Sequence, residues 1–184
     1  MADNGANPIF LVVGSPAVGK SSTSRSLAAR FSKSIHIPVD DLREMVVSGL
    51  QLPSPEWTDE IGLQVQLGRQ SASQIALVYH AAGYTVVIDD FWHENLIYDY
   101  GQLLNHPAAR KIILLPSQEV AHQRNLQRSG DSPARGYIDE GIRIVYQHMQ
   151  ANIPQLKADR WVVVDSSLLN LEQTVDAILQ KTQS

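Results

Sequence analysis

Gly14-Ser15-Pro16-Ala17-Val18-Gly19-Lys20-Ser21 is the segment from which the fold class of this chain can be predicted. It follows an apolar run, Ile9 to Val13, that predicts a buried strand, and it precedes a serine-rich segment, 21–31, that predicts a helix. The two glycines, with Lys and Ser directly after the second, fit the pattern of a phosphate-binding loop. In that pattern the glycines let the backbone direct its N–H groups at phosphate, and the following helix adds its positive end. The sequence therefore predicts a strand, a phosphate-binding loop and a helix in succession.

The residues after the second glycine indicate which ligand the loop binds. Lys20 is placed to reach the terminal phosphates of a nucleotide, and the Ser21 hydroxyl is placed to bind a Mg²⁺ ion that bridges those phosphates. We therefore expect ATP and Mg²⁺ at this loop. The candidate nucleotide-binding residues are Gly14, Ser15, Pro16, Ala17, Val18, Gly19, Lys20, Ser21 and Ser22.

Short apolar runs alternate with helical patterns along the rest of the chain. Continuous apolar strands are typical of strands buried on both faces, which predicts a parallel sheet with helices on each side. A length of 184 residues suits one domain. We predict one α/β domain over residues 1–184, in three layers (α/β/α), with a flexible arm over 1–8. Further strands are predicted at Ile35–Val39, Thr85–Ile88, Lys111–Leu115 and Trp161–Val164, and helices over 41–49, 58–82, 94–104, 117–128, 138–153 and 171–181.

The composition excludes several classes of protein. A net charge of -4 argues against a broad basic face for nucleic acid. Because the sequence has no cysteine, disulfides and thiolate metal sites are excluded. The apolar run near the start is too short to cross a membrane and has no basic residues before it. We expect a cytoplasmic protein without a membrane segment.

Asp40 and Asp41 stand where the second predicted strand ends, at the sheet edge that binds ligands in open α/β folds. Asp41, followed by Glu44, resembles a capping box and is predicted to cap the next helix. Asp40 is then left to accept the proton of a substrate hydroxyl. The alternative is a structural role for Asp40 as well.

A second pair, Asp89 and Asp90, follows the strand predicted at Thr85–Ile88. An acidic residue at such a strand end helps to hold Mg²⁺ in phosphate-loop proteins. One of the two is expected to cap the following helix, and the sequence leaves open which. Asp89 is the preferred metal ligand because it directly continues the strand.

A basic helix precedes a segment that is rich in turn residues. Arg124 and Arg128 are four residues apart and therefore share a helix face, and Arg135 lies in the polar segment 129–136. We predict that this segment is a mobile lid and that the three arginines act on the transferred phosphate. The alternative is that these arginines are solvated surface residues.

A few large or basic side chains are candidates for the acceptor pocket. Aromatic side chains often line small-molecule pockets, but they are equally common in cores. His36 and His122 are interpreted as structural or solvated, since no histidine cluster has metal-ligand spacing. The candidates are Trp57, Arg69, Phe91, Trp92 and His93.

As a set, these motifs resemble the P-loop kinases of the shikimate kinase and gluconate kinase type, and especially the chloramphenicol phosphotransferase-like and zeta-toxin-like branch. The loop 14–21, the acidic strand end Val39-Asp40-Asp41, the strand 86–90 and the segment Arg124 to Arg128 carry the resemblance. It implies five parallel strands in the order 2-3-1-4-5 and a catalytic base at Asp40. It also implies that the lid arginines are Arg124 and Arg128, and that adenine lies between the helix ending at Arg128 and residues 165–167.

Three functions remain open on the sequence. The leading hypothesis is a kinase that moves the γ-phosphate of ATP to a hydroxyl of a small molecule. The second is a 5′-hydroxyl kinase that acts on a nucleic acid or nucleotide, which would need a basic groove that an acidic chain does not indicate. The third is a nucleotide-binding NTPase or switch without an acceptor.

Overall fold

The computed structural model describes residues 7–52, 54 and 57–183. Apart from residues 7 and 8, the arm predicted over 1–8 lies outside the described residues, as do positions 53, 55 and 56 of the segment before the long third helix. No helix in the described ranges is long and apolar enough to pass through a bilayer.

Five strands form one sheet, and all the pairings are parallel. The strand order 2-3-1-4-5 is as predicted and is that of the P-loop kinase fold. The strand before the phosphate loop lies at the centre, so its carboxyl end opens between two neighbouring strands. The strands are β1 Ile9–Gly14, β2 Ser34–Pro38, β3 Thr85–Phe91, β4 Ala109–Leu114 and β5 Val162–Val164.

Helices cover both faces of the sheet, as the continuous apolar strands predict. The helix after the phosphate loop starts at the loop's lysine, and three other helices follow residues whose side chains cap them. Asn170, before the last helix, accepts a hydrogen bond from the Gln173 N–H. Thr58 accepts a hydrogen bond from the Ile61 N–H, and Ser117 accepts one from the Val120 N–H. The helices are α1 Lys20–Ala28, α2 Val39–Glu44, α3 Asp59–Ala81, α4 Leu96–Leu104, α5 Gln118–Ser129, α6 Ala134–Ala158 and α7 Leu171–Thr182.

Two hydrophobic cores lie on opposite sides of the sheet. Alternate residues of β1 enter different cores, because successive side chains of a strand point to opposite faces. Leu11 and Val13 pack in the core under α3, α4 and part of α6. Phe10 and Val12 pack in the core under α1 and α7. This alternation also fixes the faces of the polar residues at the strand ends.

Three predicted boundaries are wrong in ways that affect the site. The second strand ends at Pro38, and Val39 already belongs to α2. The third strand continues to Phe91, which pairs with Gly14, so both residues of the second aspartate pair lie inside the strand. Helix α6 begins at Ala134, which leaves only residues 130–133 between α5 and α6.

Candidate active site

The phosphate-binding loop joins the central strand β1 to α1 at the carboxyl edge of the sheet. A Cβ added at Gly14 would lie 2.5 Å from the Leu114 carbonyl oxygen, so no larger residue fits there. Ala17 and Gly19 have left-handed backbone, with φ of 60° and 96°. Left-handed residues of this kind turn successive N–H groups inward and make an anion-binding concavity.

Inside the loop, polar groups are present that the protein does not satisfy by itself. The Ser15 hydroxyl is buried and has no hydrogen-bond partner among the described residues. The Lys20 Nζ donates to the Ser15 carbonyl oxygen at 2.8 Å. Burial lowers the pKa of Lys20, and the carboxylates of Asp40, Asp89 and Asp90 oppose that shift. An orphaned hydroxyl and a desolvated ammonium in a concavity of N–H groups fit a bound polyphosphate.

The remaining loop residues differ in their surroundings. Val18 is buried in the core under α1, and this contact anchors the loop to the core. Pro16 lies beside α6, where a Cβ added at Gly141 would be 3.6 Å from its ring. Ser22 is exposed on the first turn of α1. The predicted nucleotide-binding stretch is thus one continuous surface at the start of α1.

Asp89 faces the phosphate loop and has two partners. Its Oδ1 accepts a hydrogen bond of 2.9 Å from the Ser21 hydroxyl, and its Oδ2 contacts the His36 Nε2. The Asp89 side chain is buried. Val87, two residues earlier on the same face of β3, lies in the core under α1, so Asp89 also faces α1. The predicted helix cap at this pair is wrong for both aspartates, since Asn95 precedes α4 and makes no side-chain cap.

Asp90 points to the opposite face, because β3 continues through both aspartates. There it accepts hydrogen bonds from the Arg69 Nε at 2.7 Å, the Tyr100 hydroxyl at 3.2 Å and the Phe91 N–H at 2.8 Å. Burial raises the pKa of Asp90, and the Arg69 guanidinium opposes this. Burial and the Asp90 charge hold the pKa of Tyr100 well above its usual range, so its hydroxyl remains a donor.

Arg69 joins this strand end to two helices. Its side chain has no exposed surface, and besides Asp90 it binds Asp99 of α4 at 2.8 Å and the Phe91 carbonyl at 3.1 Å. A guanidinium with all three nitrogens engaged is a structural tie between α3, β3 and α4. The structure therefore gives Arg69 a role in holding the site together, and its side chain has no exposed surface with which to contact an acceptor.

The oxygen ligands at the loop fit magnesium. The Ser21 hydroxyl and the Asp89 carboxylate are hard oxygen ligands at the mouth of the phosphate loop. Across the described part of the chain, no group of three or more His, Cys, Asp or Glu side chains could hold a metal ion. Mg²⁺ accepts such a site, because it commonly takes one or two protein ligands and completes its shell with phosphate oxygens and water.

Asp40 and Asp41 lie in the first turn of α2 and not at a strand end. The predicted cap at Asp41 is wrong: Pro38 is the residue before the helix, and acidic side chains in a first turn stabilise the helix dipole instead. The Asp40 side chain is 68% exposed and lies 3.6 Å from the guanidinium of Arg43. Asp40 nevertheless contributes the largest carboxylate effect on the pKa of Lys20, which indicates that it lies near the loop.

Of the three predicted arginines, Arg124 contacts the phosphate loop. The Arg124 Nη1 donates to the Val18 carbonyl at 2.8 Å, and its Nη2 donates to the Ser166 carbonyl at 2.9 Å. Arg124 thus ties the loop to the segment after β5, where adenine was predicted. Arg128 is exposed, and its charge helps to lower the pKa of Lys20.

Arg135 is placed differently from the prediction. It lies in the first turn of α6, where it donates to the Gly130 carbonyl at 3.2 Å and lies 3.7 Å from Asp131. The connection between α5 and α6 is short because Asn125 is buried beneath it and binds the Arg135 carbonyl at 3.1 Å. The candidate lid is therefore residues 130–133 with the adjoining helix ends.

The aromatic candidates fall into two groups. Trp57 stacks on His93, with ring centroids 4.2 Å apart and planes 9° from parallel, and Phe91 lies beside Trp57 at 6.3 Å. Since Phe91 pairs with Gly14, this cluster borders the phosphate loop. Trp92 is a core residue that packs edge-on against Trp161. Only the first group is placed to contact an acceptor.

Sequence reasoning missed two residues of the site. Arg43 is three residues after Asp40 in a helix, and that spacing alone could have suggested the pair. His36 contacts Asp89 although 53 residues separate them. Only the register of β2 against β3, with Pro38 opposite Asp89, brings the two together, and no local pattern in the sequence encodes that register.

Comparison with known proteins gives a family and a set of structural neighbours. A family model described as an AAA domain matches residues 9–166. A search of curated protein sequences finds no significant match.

Solved structures with the same fold include three kinases. The shikimate kinase from Bacteroides thetaiotaomicron is 14% identical, with a TM-score of 0.64 over 95% of this chain and 97% of that one. A gluconokinase from Sinorhizobium meliloti 1021 is 17% identical, with a TM-score of 0.61 over 98% and 94%. A sugar kinase from Janibacter sp. HTCC2649 is 18% identical, with a TM-score of 0.65 over 96% and 95%.

Proposed function

The chain belongs to the AAA domain family, and from that membership and its P-loop kinase fold we propose that it is an ATP-dependent kinase that phosphorylates a hydroxyl of a small molecule. One observation carries the proposal. The exposed carboxylate of Asp40 lies in the first turn of α2, directly after the carboxyl end of β2 at the ligand-binding edge of the sheet, and it is free to meet an acceptor. Its charge also opposes the lowering of the pKa of Lys20, the lysine expected at the terminal phosphates.

The phosphate loop and its neighbours hold the nucleotide in this proposal. The N–H groups between Gly14 and Lys20 receive the phosphate oxygens, and Lys20 exchanges its bond to the Ser15 carbonyl for the terminal phosphates. Ser21 and Asp89 would hold Mg²⁺, which neutralises charge on the phosphates when it is bound.

Asp40 is the proposed general base. Its carboxylate accepts the proton of the acceptor hydroxyl while that oxygen forms a bond to the γ-phosphorus and the bond from the γ-phosphorus to the β-phosphate oxygen breaks. The products are a phosphate monoester and ADP, and the proton remains on Asp40 until solvent removes it. The Arg43 guanidinium lies 3.6 Å from this carboxylate and is itself buried, so it gives the Asp40 side chain a fixed neighbour on α2.

The arginines of α5 are proposed to offset negative charge during transfer. Arg124 is held at the loop by Val18 and Ser166, and Arg128 is exposed on the same helix one turn later. Positive charge at this place stabilises the charge that spreads over the transferred group. Arg135 would reach the phosphates only if the segment 130–133 moved toward them.

The test is a screen of the purified protein with ATP and Mg²⁺ against nucleosides, sugars, aminoglycosides, phenicols and oligonucleotides with a free 5′-hydroxyl. ADP release that depends on one small-molecule class, and that Asp40→Asn abolishes, is the expected result. Release that depends on oligonucleotides would favour a nucleic-acid kinase. The net charge of -4 argues against that outcome. Release that no acceptor changes would indicate an NTPase. The resemblance to chloramphenicol phosphotransferase-like kinases is the reason for including phenicols.

A further inference from the structure

His36 and Asp89 meet at the edge of the sheet beside the phosphate loop. In the parallel pairing of β2 and β3, His36 lies opposite Val87 and Pro38 lies opposite Asp89. The His36 ring therefore lies on the same face of the sheet as Asp89, two residues before the position opposite it. Its Nε2 contacts the Asp89 Oδ2. Both side chains are largely buried, with 12% and 7% of their surfaces exposed.

The two oxygens of Asp89 are thus assigned to different partners. Oδ1 accepts from the Ser21 hydroxyl on α1, and Oδ2 faces the His36 ring on β2. An aspartate carboxylate is otherwise broadly free to rotate about its last torsion. A donor on each side, each held by a different element of the fold, fixes the plane of the carboxylate.

We propose that His36 is a positioning residue, which holds Asp89 so that its Oδ1 stays directed at Ser21 and at the Mg²⁺ ion of the bound nucleotide. The inference rests on the proposed function, because it needs a Mg–nucleotide complex at the loop. Since a carboxylate can only accept, Nε2 is the ring nitrogen that carries the hydrogen. Partners behind a metal-binding side chain typically contribute about 10- to 100-fold to metal affinity.

Nucleotide affinity measured with and without the metal separates this role from simple packing. The ratio of the Kd of a non-hydrolysable ATP analogue in EDTA to its Kd in Mg²⁺ reports how strongly the metal couples to the nucleotide. His36→Phe keeps a ring of similar size but donates nothing, and it is expected to lower this ratio about 10-fold or more while the Kd in EDTA stays unchanged. His36→Gln can place an amide N–H near the position of Nε2 and is expected to restore part of the ratio.

Two control variants make the outcome decisive. Ile35→Val, on the same strand, removes packing without touching Asp89 and is expected to leave the ratio unchanged. An unchanged ratio in His36→Phe overturns the inference, as does an equal weakening of both Kd values, since a structural loss would act on both. If His36→Phe does not fold, the test compares His36→Gln with Ile35→Val. A ratio of the two Kd values in His36→Gln that is more than about 100-fold below the parent's ratio would also overturn the inference.

The proposed function is tested separately in the same experiment. Asp89→Asn must lower the ratio if Mg²⁺ is held at this strand end. If it does not, the assignment of the metal in the proposed function fails. If Asp89→Asn lowers the ratio and His36→Phe leaves it unchanged, only the role of His36 fails.

Discussion

The Asp40 carboxylate lies 3.6 Å from the Arg43 guanidinium, one turn further along α2, and the two side chains are 68% and 6% exposed. A pair with one partner in solvent typically contributes about 0 to 1 kcal/mol to stability. Asp40 is therefore not needed to keep the fold, and it lies in the helix that begins directly after the carboxyl end of β2. A carboxylate in this position is available for chemistry.

Asp40→Asn is expected to lower acceptor phosphorylation by about 10²- to 10⁴-fold, because the amide cannot take the proton of the hydroxyl. The Kd for ATP and the melting temperature should stay near those of the parent, since the carboxylate is exposed and its ion pair is weak. Turnover with the acceptor identified by the screen, together with a thermal melt, measures both.

Asp41→Asn is the matched control for this experiment. Asp41 is the next residue of the same first turn, is also exposed, and makes no cap. Its loss should cost only a few tenths of a kcal/mol through the helix dipole and leave turnover intact. A protein with Asp40→Asn that melts much earlier and turns over normally would show that Asp40 is structural.

Lys20→Ala is expected to abolish the thermal stabilisation that ATP gives to the parent. Lys20 lies at the loop, where its Nζ donates to the Ser15 carbonyl. Lys33→Ala is the control, since Lys33 binds the Ala82 carbonyl and the Tyr84 ring at the opposite end of the sheet. Stabilisation by ATP that is equal in Lys20→Ala and the parent would remove the loop from the proposal.

Much of the fold was predictable because local patterns decide it. The buried run Ile9 to Val13 and the loop after it predicted the first strand, the phosphate-binding loop and the next helix, and residues such as Ser117 predicted where helices start. The strand order followed from the family resemblance. Boundaries were less predictable, because a strand can extend through polar residues when its neighbour continues to pair, as β3 does through Asp90 to Phe91.

The errors at the site follow from those boundaries. Because β3 is three residues longer than predicted, Asp89 and Asp90 lie on opposite faces of the sheet. One meets Ser21 and the other meets Arg69, and neither caps a helix. The contact of His36 with Asp89 depends on strand register, and the tie of Arg69 depends on how α3 packs. Both arise from tertiary structure, which single-residue patterns do not encode.

Arg69→Met is expected to destabilise the protein by about 3 to 5 kcal/mol, because it leaves the Asp90 carboxylate buried without its charged partner. Urea denaturation measures the change. Arg143→Met is the control, since the pair of Arg143 with Glu140 is exposed and its loss should change the free energy of unfolding far less. Equal costs for the two variants would contradict the structural role of Arg69. Loss of the tie should also weaken the Trp57–His93 stack, which rests on the same strand end.

Residues 129–136 are expected to exchange amide hydrogens rapidly without ligand and slowly with a non-hydrolysable ATP analogue plus acceptor. The connection 130–133 is exposed and contains a glycine and a proline, and Arg135 beyond it can approach the phosphates only if this segment closes. Peptides from β1 serve as the internal control, because that strand is buried in both states. Exchange that ligand does not slow in 129–136 would remove the lid.

Asp139 on α6 is expected to make the contact between α5 and α6 sensitive to acid. Its carboxylate accepts hydrogen bonds of 2.8 Å from the His122 ring and from the Asn125 amide, and these hold the pKa of Asp139 below its usual value of 3.8. A lowered pKa in the folded state means that the contribution to stability is present above about pH 4 and is lost as the pH falls through the folded pKa.

Asp139→Asn should therefore lower the melting temperature at neutral pH by about 1 to 3 °C, a small effect because the side chain is 36% exposed. The difference from the parent should shrink as the pH falls below about 4, since the parent then loses the same contribution by protonation. Asp131→Asn is the control: its contact with Arg135 is 3.7 Å long and fully exposed on the Asp131 side, so it should shift neither value. Melting curves of the three proteins across this range decide the matter. A difference between Asp139→Asn and the parent that persists unchanged in acid would mean that the carboxylate charge does not stabilise this helix pair.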